Sequence, residues 1–125
     1  MDSSSSNPIF SDQKVPNRQF PGVWDVPPHA VHAARHEVRI VDVRQPEEYT
    51  GELGHIPGAE LIVLDTLATE IERLPKTDSI VFVCRSGGRS GHATEFARAQ
   101  GFKNVFNMTG GMMLWNELNL PVETR

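Results

Sequence analysis

Cysteine is all but missing: Cys84 is the only one in 125 residues. No disulfide can close within the chain and no cysteine metal cluster can be built from it, so this thiol is either packing or a reactive group. Long hydrophobic runs are also missing. No apolar stretch approaches the roughly 20 residues that span a bilayer, and 38% hydrophobic with 22% charged residues suits a soluble globular chain. Neither sign of charge dominates. A net charge of -4 offers no general basic surface for nucleic acid or an anionic membrane. The opening MDSSSSNPIF lacks the positive and the continuous apolar regions of a secretory signal, so a cytoplasmic location is expected.

What is present is one domain's worth of alternating elements. Residues 1–22 hold a serine run and Pro8, Pro16 and Pro21, the composition of a flexible tail. Ile9, Phe10 and Phe20 leave open an arm that docks on the domain or on a second subunit. The domain is taken as 23–125. Strands are expected at 24–26, at VRIVDV (38–43), at 61–63, at IVFV (80–83) and at 104–107, because β-branched and apolar residues cluster there. Helices are expected from Pro27 to about residue 36, after Asp65 as a cap, over 89–100 ahead of Gly101, and after Gly110 and Gly111. The stretch RQPEEYTGELGHIPGAEL is broken by prolines and glycines and reads as loop. Trp24, Met112, Met113 and Trp115 are read as packing. Alternation of this kind predicts an α/β fold, an open parallel sheet with helices on both faces.

The unbroken apolar run 80–83 reads as a strand buried on both sides, and it delivers Cys84 at its carboxyl end, where open α/β sheets bind ligands. Arg85, Ser86, Gly87, Gly88, Arg89 and Ser90 follow as a tight turn into a helix. Adjacent glycines let backbone amides point inward, a helix N-terminus adds positive potential, and two arginines add charge. All three favour thiolate over thiol. An isolated strand-end cysteine is more often packing than chemistry; the glycines and arginines around this one reverse that balance. A Walker-type phosphate loop is excluded, since no lysine follows the glycines.

With these residues in view the sequence resembles the rhodanese family. Three motifs in order carry the likeness: VDVRQPEEYTGELGHIPGA (41–59), VFVCRSGGRS (81–90) and GGMMLW (110–115). The resemblance implies a rhodanese-like fold and a sulfurtransferase in which Cys84 takes sulfane sulfur from a small anionic donor such as thiosulfate. The persulfide so formed would pass its sulfur to an external acceptor, cyanide or a thiol. It implies no cofactor and no metal, with residues 85–90 as the persulfide-binding loop. Asp42 and Arg44 match a recurring pair, Asp42 bracing the neighbouring loop and Arg44 adding charge near the crevice. His55 is attractive as an acid or base, but its turn setting favours a hydrogen-bonded structural histidine. Arg89 is expected either to orient the loop or to bind the donor. Oligomeric state is left open.

Two other functions compete. Dual-specificity phosphatases and arsenate reductases share the fold, but phosphoryl chemistry needs a longer cradle before its arginine than the four residues separating Cys84 from Arg89. A non-enzymatic binding module is the third reading, and retention of Cys84 with its glycine loop argues against it.

Overall fold

The computed structural model describes residues 9–125. Six strands form one sheet in the order β1-β2-β6-β5-β3-β4: β1 Val15–Pro16, β2 Trp24–Val26, β3 Arg39–Asp42, β4 Glu60–Leu61, β5 Ile80–Val83 and β6 Val105–Met108. All neighbours run parallel except the β1–β2 pair at one edge. The helices are α1 Pro28–Ala33, α2 Pro46–Tyr49, α3 Leu67–Glu70, α4 Gly88–Ala99 and α5 Gly111–Glu117. The expected α/β sheet with helices on both faces is present.

Strand β5 explains the layering. Its four residues are fully buried, as the continuous apolar run requires of a central parallel strand. Alternate side chains point to opposite faces. Val81 and Val83 pack with Val31 of α1 and Met112 and Trp115 of α5. Ile80 and Phe82 pack with Leu67 of α3 and Ala93 and Ala97 of α4. Leu67, Ile71 and Leu74, spaced for one helical face, are all buried. They are held, however, by a chain that passes from a 3₁₀ turn (Leu64–Thr66) through α3 to another (Ile71–Arg73).

Several expectations need correction. The tail reading of 1–22 gives way from Ile9 onward, and residues 1–8 lie outside the described residues. Phe10 is 5% exposed and meets Phe106 edge-on with ring centroids 5.1 Å apart. β1 then pairs with β2, and Asn17 Oδ1 accepts hydrogen bonds from the Gln19 and Phe20 amides. From Ile9 onward the segment packs on the domain, because apolar anchors too few to build an element suffice to dock one on an existing core. Asp65 does not cap α3; it lies inside the preceding 3₁₀ turn. The stretch read wholly as loop contains α2, whose first residue is Pro46 and whose Gln45 and Glu48 form a capping box. Met112 and Trp115 are core, but Met113 and Trp24 are exposed. Lys14 covers the Trp24 ring instead, with Nζ 4.4 Å from its centroid.

Candidate active site

Strand β5 ends at Val83, and Cys84 follows in the crevice outside the sheet. The residue is 1% exposed. Among the described residues two groups reach the sulfur: the Gly87 amide donates to Sγ at 3.1 Å and Ser90 Oγ lies 3.2 Å away. Gly87 has φ +111°, a left-handed conformation that turns its amide inward and starts α4 at Gly88. The 12-residue helix thus aims its positive end at the thiol. A Cβ on Gly88 would meet nothing within 4 Å, so the loop is open on that side.

The carbonyls of the same turn are held from behind. Met112 and Met113, in the first turn of α5, donate their amides to the carbonyl oxygens of Cys84 and Arg85 at 2.8 and 3.0 Å. This close approach depends on Gly111, where φ is +57° and a Cβ would overlap both carbonyl oxygens. Satisfying the carbonyls outward leaves the amides free to face inward. Contact of Gly111 with the cysteine loop is a tertiary fact that no local pattern carries.

The two arginines of the loop part company. Arg85 is exposed. Arg89 forms a bidentate pair with Glu48 of α2, its Nη1 and Nη2 donating to Oε1 and Oε2 at 2.8 and 2.9 Å. The Arg89 hydrogen bond, opposed in part by desolvation, holds the Glu48 carboxyl down at about 2 from an ordinary value of 4.5. The same hydrogen bond raises the Arg89 guanidinium further. The pairing ties the start of α4 to α2. Glu48 was not singled out in the sequence, although its place in the capping box was visible there.

Asp42 and Arg44 are a buried ion pair rather than a source of charge in the crevice. Arg44 Nε and Nη2 donate to the two Asp42 oxygens at 2.9 and 2.7 Å, and both side chains are 1% exposed. The remaining Arg44 donors reach the carbonyls of Gly54 and Glu48 at 2.7 and 3.2 Å. The pair therefore anchors the 45–54 segment, and through it α2 and Glu48. His55 lies in the same brace. Its Nδ1 donates to the Tyr49 carbonyl at 2.8 Å, its ring stacks on Tyr49 at 3.6 Å, and Nε2 lies 3.7 Å from Glu123 Oε1. None of these contacts involves the cysteine loop. Burial, seconded by the Asp42 charge, raises the Tyr49 phenol, whose hydroxyl donates to the Ala59 carbonyl.

The rhodanese-like domain model matches residues 28–118, a span that runs from the start of α1 through α5. The chain belongs to the rhodanese-like domain family. Among curated proteins, this rhodanese-like chain is 34% identical over 86 residues to a sulfurtransferase of Allochromatium vinosum, covering 69% of this chain and 78% of that one. It is 31% identical over 100 residues to the thiosulfate sulfurtransferase GlpE of Pseudomonas fluorescens, covering 79% and 89%. The rhodanese-related protein of Thermoplasma volcanium is a structural neighbour with a TM-score of 0.75 and 25% identity, covering 81% of this chain and 98% of that one. No helix of the described residues is long and apolar enough to cross a membrane.

A cleft of about 480 Å³ separates the arm, at Asn17 and Arg18, from the outer face of loop residues 86–88 in this rhodanese-like domain. Its floor includes Asp25 and Asn107. Neither residue was marked in the sequence. Asn107 is buried beside Ser90 and Asp25 lies across the strand pair from it.

Proposed function

We propose that the protein is a sulfurtransferase that carries sulfane sulfur as a persulfide on Cys84. In the first half-reaction the Cys84 thiolate attacks the outer sulfur of thiosulfate. A new S–S bond forms at Cys84, the S–S bond of thiosulfate breaks, and sulfite leaves with the bonding pair. In the second, an acceptor thiolate or cyanide attacks the terminal sulfur and Cys84 departs as thiolate. Both leaving groups are stable anions, so neither step needs a side-chain proton donor.

The observation that carries this reading is the small cradle around one sulfur: Sγ faces the Gly87 amide and the Ser90 hydroxyl at the mouth of a 12-residue helix. The Gly87 amide and the helix end favour an anion at the sulfur, first thiolate and then persulfide. Loop residues 85–90 take the substrate-binding role, while Asp42, Arg44 and His55 hold the segment that carries Glu48. The single cysteine requires the acceptor to come from outside, because no internal disulfide can release the sulfur. A phosphatase reading is disfavoured by the pairing of Arg89 with Glu48, which occupies the guanidinium that would clamp a phosphoryl group.

Mass spectrometry of the intact protein after thiosulfate treatment tests the reading. Wild type is expected to gain one sulfur atom and lose it on addition of cyanide with release of thiocyanate; Cys84→Ser gains none. An unmodified thiol, or hydrolysis of a chromogenic phosphate ester that Cys84→Ser abolishes, overturns it.

A further inference from the structure

The hydroxyl of Ser90 has one hydrogen and two acceptors within reach. One is Cys84 Sγ at 3.2 Å and the other is Asn107 Oδ1. Which way the Asn107 amide points is settled by its far side. Asn107 Nδ2 donates to Asp25 Oδ1 at 3.0 Å, and a carboxylate only accepts. The oxygen of that amide must therefore face Ser90. Asp25 is held in turn by the arm, for Asn17 Nδ2 donates to the same Oδ1 at 2.9 Å while Asn17 Oδ1 accepts the Gln19 and Phe20 amides. Ser90 is fully buried and Asn107 is 2% exposed, so water does not substitute freely for a lost partner in this row.

The directions of these bonds set a preference at the sulfur. With Cys84 as a thiol, its hydrogen is donated to Ser90 Oγ and the Ser90 hydrogen to Asn107, and every buried group is satisfied. When Cys84 ionises, Ser90 best serves the thiolate by turning its hydrogen to Sγ, which leaves the buried Asn107 oxygen without a donor. We propose that Asn17, Asp25 and Asn107 form a positioning relay by which the N-terminal arm draws the Ser90 hydrogen away from Cys84 and so restrains formation of the thiolate. Asn17 and Asp25 precede residue 28, outside the span matched by the family model. Two members of the relay thus precede that span, and the relay makes arm docking and thiol reactivity one property. It deepens the reading of Cys84 as the sulfur carrier but does not require it, since thiol ionisation is measured without any sulfur donor.

Other charged groups around the site are accounted for. Arg89 faces Cys84 from α4 and is paired with Glu48 of α2, Asp42 at the end of β3 and Arg44 just beyond it neutralise each other, and Arg85 is exposed on the loop. Asp25 is the charged member on the β2 side. Its substitutions must therefore separate charge from hydrogen-bond direction.

The experiment is the pH dependence of Cys84 alkylation by iodoacetamide in the full chain, with thiolate absorbance as a second readout. Asn107→Leu removes the competing acceptor, and Asp25→Leu frees the Asn107 amide to turn over. Each is expected to move the midpoint down by about one pH unit, the worth of one hydrogen bond. Asp25→Asn keeps an acceptor oxygen but removes the charge, and is expected to restore most of the wild-type midpoint. In a Ser90→Ala background, Asp25→Leu is expected to have no further effect. Unchanged midpoints in folded Asn107→Leu and Asp25→Leu overturn the proposal, as does an Asp25→Asn shift equal to that of Asp25→Leu. Asp25 is only partly buried, so its variants keep the test available if Asn107→Leu does not fold. Failure of persulfide formation with these midpoint shifts present would count against the sulfur-carrying reading alone.

Discussion

Glu48 grips Arg89 with both carboxylate oxygens, at 2.8 and 2.9 Å, and thereby ties α2 to the first turn of α4 across 41 residues of sequence. Its carboxyl sits at about 2, below the ordinary 4.5. A depressed acid contributes stability that is fully present above the unfolded value and is lost as pH falls through the folded one. Glu48→Gln is therefore expected to lower the urea midpoint near neutrality, with the gap from wild type shrinking between about pH 4.5 and about pH 2. Urea titrations across that range check it. A gap independent of pH would show that the ion pair is not its source.

Asp42 and Arg44 make a stronger prediction because both are buried. Asp42→Asn leaves the guanidinium in the interior without its counter-charge, and a loss of about 3 kcal/mol is expected. Arg44→Lys is also expected to destabilise, since an ammonium cannot span both Asp42 oxygens and the Gly54 carbonyl. Equilibrium unfolding of the two variants measures both effects.

Two glycines of the site should respond in opposite ways. Gly111→Ala forces a side chain into the Cys84 and Arg85 carbonyls at positive φ, with an expected cost of at least about 2 kcal/mol and loss of thiosulfate-dependent persulfidation. Gly88→Ala meets no atom and lies in a helical turn, so stability is expected to hold or to rise by up to about 1 kcal/mol. Thermal unfolding of the pair distinguishes a packing requirement from a general dislike of substitution near the loop.

Phe10→Ala tests the docked arm. Removal of a buried ring set edge-on against Phe106 is expected to destabilise by about 3 kcal/mol. A segment that merely trailed from the domain would give no change in the unfolding midpoint.

What could be read in advance follows the range of the interactions. Strand β5 and the glycine turn after it are local patterns, and both lie where the sequence indicates. Gly101 likewise takes φ +102° at the end of α4, as a helix-ending glycine should. The pairing of Glu48 with Arg89 and the seat of Gly111 against Cys84 join residues far apart in the chain, and no spacing rule reaches them. Met112 and Met113 differ by one position, and only the rotation of α5 on the sheet sends one inward and the other to solvent. Phe10 was hard to weigh for a related reason: its neighbours are polar, and its worth lies in a ring from the far end of the fold. Helix α2 is different, because Gln45, Pro46 and Glu48 announced it and the surrounding glycines masked them.

The pairing of β2 with β6 has a consequence for how the molecule is made. Asp25 lies opposite Asn107 in that ladder, and Phe10 meets Phe106. During synthesis Phe10 and Asp25 must wait for the residues of β6 before either contact can form. Cys84 emerges in the interval, ahead of β6 and of the α5 amides that hold its turn. A nascent chain therefore carries Cys84 unsheltered until β6 and α5 have been made, and only their arrival closes the sheet around it.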